Sequence, residues 1–186
     1  TSKVNYRNHR KLCVVDGKVG FIGGMNLALR YVKGRGGRVW RDTHLRIEGG
    51  GVYAIQRAFL VDWYFVDRTL ITDRRYYPPV DAAIRNNCLV QVVTSSPVTP
   101  WPDIIIYQTY LHTLMRLFAN QNWALPFKDN QVEIYTDGYG FVFSLLQAIG
   151  RAEKHIHIDT YIIEDDPLGN LIADALADKA RQGVEV

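Results

Sequence analysis

Residues 7–11, Arg-Asn-His-Arg-Lys, set one imidazole among three permanent cations, directly before the β-rich run Leu12–Val15 and an Asp16-Gly17 pair. His9 and Lys11 are two apart. On an extended chain their side chains leave the same face and can reach one phosphate. An imidazole is neutral near pH 7 and can attack phosphorus, and an ammonium can neutralise non-bridging oxygens as charge builds. Asp16 has the opposite parity and occupies a turn. It is expected mainly to shape the hairpin or pair with a nearby base, with direct contact to the histidine as the minority reading. Asn26 follows Gly23-Gly24-Met25 and could donate an amide hydrogen bond to a phosphate oxygen, although such a residue more often serves a turn. Asp42, in Trp40-Arg41-Asp42-Thr43-His44, could orient the ring of His9 by accepting its second N–H.

The elements that must position these groups follow from periodicity. Residues 11–15 and 18–22 read as strands joined by Asp16-Gly17, the pair of a tight hairpin. Residues 43–47 and 89–93 read as further strands. Val52, Ile55, Phe59, Trp63 and Val66 recur at helical spacing, which predicts an amphipathic helix over 51–66. Residues 95–102 read as a linker and 104–119 as a helix. The final third is cleaner. A strand at 132–135 precedes a helix face of Phe141, Leu145, Ala148, Ile149 and Ala152. A strand at 155–163 precedes the helix-start signal Asp166-Pro167 and the face Leu168, Leu171, Ile172, Ala175 and Leu176. Gly183 stops that helix before a last strand at 184–186. Strand–helix–strand–helix–strand predicts an α/β fold with a mixed, largely parallel sheet flanked by helices.

The 186 residues are 47% hydrophobic, enough for one domain of ordinary size or two small ones with a sizeable core. No apolar run is long enough to suggest a membrane span. Two cysteines give neither a disulfide framework nor a zinc spacing, and Cys13 is expected as a buried thiol. The net charge of +3 hides an asymmetry. Residues 1–46 hold four Lys and seven Arg against two acids, whereas residues 129–186 hold four bases against eleven acids. A basic segment around a histidine favours an anionic partner.

The pattern His9-x-Lys11-x4-Asp16, followed by Gly23-Gly24-x-Asn26, resembles the HKD motif of the phospholipase D superfamily. The stretches NYRNHRKLCVVDG, VGFIGGMNLALRYV and WRDTHLRIEGGGV are similar to the first repeat of bacterial cardiolipin synthases. The resemblance implies a phospholipase D-like α/β/α sandwich and no metal or cofactor. It implies a phosphatidyltransferase that moves a phosphatidyl group from one phosphatidylglycerol to another through a phosphohistidine and releases glycerol. By position, His9, Lys11 and Asp16 are the catalytic motif. Asn26 and Asp42 support it, and Lys11, Asn26, Gly24 and Arg10 bind substrate. Whether His9 is the nucleophile or the general acid stays open. Gly24 departs from the serine common there, so a hydroxyl donor to phosphate is absent. The implied partners are an anionic phospholipid, a membrane surface, and a second motif from another repeat or a homodimer partner. The implied location is the bacterial cell membrane.

Residues 129–186 also resemble this family, but the part that normally precedes the motif. Residues 1–103 therefore read as the motif-bearing half of a repeat with the entry to the next, and 104–186 as an opening half, together forming one α/β domain in permuted order or as a fragment. Three rival readings stand beside this one. His155, His157 and Asp159 share one strand face at a spacing that could chelate zinc, although a half-exposed strand explains them better. A dimeric single-motif nuclease would also use a basic segment with Tyr6, Tyr31 and Trp40, but the detailed resemblance makes nucleic acid the less expected partner. A non-catalytic module binding anionic lipid is the third.

Overall fold

The computed structural model describes residues 8–34, 36–81, 83–84, 88–94 and 125–186. The expected linker at 95–102 and the expected helix at 104–119 lie outside these residues. Six strands form one sheet: β1 (Leu12–Val15), β2 (Val19–Gly23), β3 (His44–Glu48), β4 (Cys88–Val90), β5 (Phe127–Tyr135) and β6 (Ile156–Asp159). Their order across the sheet is β4-β5-β3-β2-β1-β6. Helix α1 (Val52–Asp67) follows β3, α2 (Gly138–Arg151) links β5 to β6, and α3 (Pro167–Arg181) follows β6.

The expected largely parallel sheet is corrected. Every strand pairing is antiparallel. The parallel contacts among the described residues are two isolated bridges, Leu27 with Ile163 and His155 with Glu185. The reason lies in what separates β5 from β6. The two strands joined by α2 do run in the same direction, as a crossover unit requires. Between them, however, stand β3, β2 and β1, which alternate in direction, so the two never become neighbours. The last expected strand shrinks to the Glu185 bridge.

β1 lies between β2 and β6 and is buried along its whole length. Leu12 and Val14 face α1, where they pack with Ile47, Val52, Ile55 and Phe59. Cys13 and Val15 face the other layer, against Phe21, Phe141, Leu145, Ile149 and Ile172. A strand covered on both faces reads as a continuous apolar run, which is what Leu-Cys-Val-Val is. Cys13 is a buried thiol, and burial pushes its pKa up to about 12. In the turn after β1, Asp16 and Gly17 both take positive φ, 53° and 66°, and Lys18 N–H donates to Val15 O at 3.0 Å. Gly takes that conformation without a Cβ penalty. At α3, Asp166 Oδ1 accepts from Leu168 and Gly169 N–H at 2.9 Å each, and Pro167 opens the helix. Its Oδ2 accepts from Leu29 N–H at 2.7 Å, tying the α3 start to the segment after β2.

The helix over 51–66 forms almost as expected, but its apolar face does not stay covered. Val52, Ile55 and Phe59 are buried, whereas Trp63 is 42% and Val66 82% exposed. No helix among the described residues is long and apolar enough to cross a membrane.

Candidate active site

The antiparallel order brings one set of strand ends together. β1 and β3 begin where β2 and β6 finish, because Leu12 pairs with Ile22 and Asp159 while Gly23 pairs with His44. The residues just outside those ends meet at this edge of the sheet: His9 and Lys11, Gly24 to Asn26, Asp42 and Tyr161.

His9 is exposed and Lys11 is only 5% exposed, and the two meet. Lys11 Nζ lies 2.8 Å from His9 Nδ1 and 3.3 Å from Nε2, and it donates to the His9 carbonyl at 2.7 Å. The strand does not reach back to His9, yet Gly23 N–H still donates to Lys11 O at 3.2 Å, so the ladder continues one residue beyond β1. Burial pulls the Lys11 ammonium below its ordinary pKa, and electrostatic contributions from Asp42, Tyr161 and Asp159 oppose that shift. The ring of Tyr161 packs 4.5 Å from that of His9, and Lys11 Nζ stands 5.4 Å from its centroid. The spacing of residues 7–16 carries no hint of Tyr161. Its cue is topological: once β6 lies antiparallel to β1, the residues after Asp159 must emerge beside His9.

The other expected site residues fall into three environments. Asp42 acts electrostatically on Lys11, and its Oδ1 accepts from Thr43 N–H at 2.8 Å. Its carboxylate lies where a Cβ on Gly24 would be, so a serine at 24 would have to displace it. Asn26 is buried and donates to the Tyr31 hydroxyl at 2.9 Å, while its buried Oδ1 has no hydrogen-bond partner among the described residues. Arg10 is held by Asp62, and Asn8 bridges Asp62 to Asp159. Arg10 therefore anchors the approach to β1 onto α1.

Asp16 is set apart. It lies roughly 16 Å from Lys11 along the strand, at about 3.3 Å per residue. Its Oδ1 accepts from Lys154 N–H at 2.7 Å and His155 N–H at 2.9 Å, and its Oδ2 from Glu153 N–H at 2.9 Å. The motif acid thus clamps the hairpin onto the entry to β6. A cleft of about 720 Å³ at this end of β1 is lined by Asp16, Arg46, Glu48 and Glu133, with neither His9 nor Lys11. Arg46 is paired with both glutamates there.

His155 and His157 lie on the α1 face but are buried, which corrects the half-exposed strand reading. His157 stacks on Phe59 at 4.4 Å and sits 2.7 Å from Gln56 Nε2 through its Nδ1. His155 packs against Tyr76 at 4.9 Å. Among the described residues, no group of three or more His, Cys, Asp or Glu is placed to hold a metal ion. His44, buried against Phe141 at 4.0 Å, is pushed down to about 3 by burial and by the Lys11 charge. His157 is pushed down to about 4 by burial and by His155. Both are neutral when folded, while an unfolded histidine titrates near 6.5. Their contribution to stability is complete above about pH 6.5 and is lost as the pH falls from there toward the folded values. Going from pH 7.5 to 5 should cost roughly 2 kcal/mol for each. Urea midpoints at the two pH values measure this, and equal midpoints would contradict two buried neutral rings.

Against known proteins, the chain is similar to curated cardiolipin synthases. That of Listeria innocua is 42% identical over 106 residues, covering 55% of this chain and 21% of the relative. Those of Alkalihalophilus pseudofirmus and Oceanobacillus iheyensis are each 40% identical, over 102 and 104 residues, covering 54% and 55% of this chain and 20% and 21% of the relatives. The chain matches about a fifth of the length of these relatives. No protein-family model and no solved structure matches it.

Proposed function

We propose that this chain carries one motif of a cardiolipin synthase-like phosphatidyltransferase that works at a bacterial membrane surface. One observation carries the reading: an exposed imidazole touched at 2.8 Å by a buried lysine ammonium, at a strand mouth. The similarity to cardiolipin synthases supplies the substrate class. His9 attacks the phosphorus of one phosphatidylglycerol, an N–P bond forms, and the bond to the glycerol headgroup breaks. A second histidine gives its proton to the departing glycerol alkoxide. The hydroxyl of a second phosphatidylglycerol then yields its proton to that base and attacks phosphorus, and the N–P bond breaks to free cardiolipin and His9. Lys11 neutralises the non-bridging oxygens in both steps. Asp42 holds charge against Lys11, and Tyr161 fixes the plane of the His9 ring. Asp16 positions β1 rather than touching substrate. Asn26 joins the phosphate site if its amide turns so that Tyr31 donates to it and the amide N–H is released.

The chain contains one His-x-Lys-x4-Asp motif, and the chemistry needs two histidines. The second comes from another repeat of a longer parent or from a second copy. Residues 104–186 belong before 1–103 in that parent, a proposal supported by the shared sheet, in which β5 and β6 flank β1 to β3. A strictly monomeric preparation should show no measurable transfer, and activity should follow the fraction holding two motifs. Size-resolved assays on phosphatidylglycerol vesicles check this, and robust turnover by the monomer would contradict it. Offering phosphatidylglycerol and plasmid DNA side by side tests the substrate class: lipid should be consumed, and cleaved DNA would point to a nuclease.

A further inference from the structure

We propose that the segment after β2, through Arg30, Lys33, Arg38, Val39, Trp40 and Arg41, is the surface by which the protein docks on an anionic bilayer, with Trp40 and Val39 entering the interface. Residues 30–41 contain no acid. Lys33, Arg38 and Arg41 are exposed, and among the described residues none of them is in an ion pair. Trp40 and Val39, at 55% and 59% exposure, form an apolar tip between those cations.

The tip is built rather than loose. Trp40 N–H donates to Arg30 O at 3.2 Å, the Arg30 guanidinium sits 5.1 Å from the Trp40 ring centroid, and Tyr31 meets the same ring edge-on at 6.1 Å. Arg30 is itself fixed by Glu164 at 2.8 Å. An indole held at the surface with cations around it matches the chemistry of the interfacial zone, where Trp is favoured and Lys and Arg meet anionic headgroups. A single-stranded nucleic acid would use the cations but not Val39, and the guanidinium already covers a ring face that a base would need. Asp42, which follows at once, acts on Lys11. Docking there therefore sets the mouth of the site at headgroup level.

The inference deepens the phospholipid reading and takes from it only that the substrate lies in a bilayer. The test is co-sedimentation of the chain with vesicles of equimolar phosphatidylglycerol and phosphatidylcholine, against phosphatidylcholine alone, at about 0.1 M salt. Binding should need the anionic lipid. Arg38→Ala with Arg41→Ala should weaken it about thirty-fold. Trp40→Ala should weaken it roughly tenfold. Trp40→Phe should remove the blue shift of tryptophan emission seen on binding. Lys18→Ala, which removes an exposed cation at the opposite end of β1, should bind as tightly as the parent chain. Loss of binding on Lys18→Ala, with the Trp40 and Arg38/Arg41 variants unaffected, would overturn this surface and leave the phosphodiester reading standing. Full binding with no lipid turnover by a two-motif assembly would sink the proposed activity and leave the surface. Displacement from vesicles by an equal phosphate concentration of single-stranded DNA would overturn the bilayer as the partner.

Discussion

His9→Ala should reduce phosphatidyl transfer by about 10⁴-fold or more in an assembly that holds two motifs. The expectation follows from where the residue lies. His9 is exposed, its ring touches Tyr161 and Lys11, and it fills no core. The substitution should therefore leave thermal stability within about 1 kcal/mol, as surface changes do. Lys11→Met should cost roughly 10²–10³-fold, the scale on which removal of one charge-stabilising donor acts. The two losses should add incompletely, since both groups serve one transferring phosphorus. Transfer that survived His9→Ala to within tenfold would move the nucleophile elsewhere.

Asp16→Ala should act on the fold instead. It removes a carboxylate that accepts three backbone N–H groups, from Glu153, Lys154 and His155. It also places Ala at a φ of 53°, a region it disfavours. The expected loss is about 3 kcal/mol, or roughly 6–12 °C in Tm for a chain of this size. Asp16→Asn should lose far less. It keeps an oxygen for Lys154 and His155, and Asn tolerates positive φ. At temperatures where Asp16→Ala is still folded, turnover should stay within a few-fold of the parent. A variant with unchanged Tm and abolished turnover would show that the motif acid works in chemistry.

Those two residues mark how far the sequence carries. The parity of His9 and Lys11 placed both on one face, and their side chains do meet. The same parity put Asp16 on the opposite face, but its partners at 153–155 are far along the chain and leave no local trace. The hairpin, α2 and α3 were legible because their signals are local: positive-φ turn residues, an N-cap before Pro167, and apolar residues every third or fourth position. The sheet was not. Periodicity reports which faces of an element are buried and says nothing of which strand lies beside it. β5-α2-β6 therefore read as adjacent parallel strands when three antiparallel strands stand between them. Tyr161 was hidden for the same reason. The C-terminal half of α1 failed differently: Trp63 and Val66 keep the helical spacing, but the described part of the sheet does not extend under them. Nothing in the sequence near Asn26 announced Tyr31 as a partner of its amide.

The most direct test of the central claim is to trap the covalent intermediate. A two-motif assembly would be mixed with phosphatidylglycerol labelled at phosphorus, quenched in base within the turnover time and digested. The labelled peptide would then be sequenced by mass spectrometry. The expected result is an acid-labile phosphoramidate on His9 that vanishes in His9→Ala. Label on any other residue, or turnover with no trapped phosphorus on His9, would contradict the reading of this strand mouth as a nucleophilic phosphodiester site.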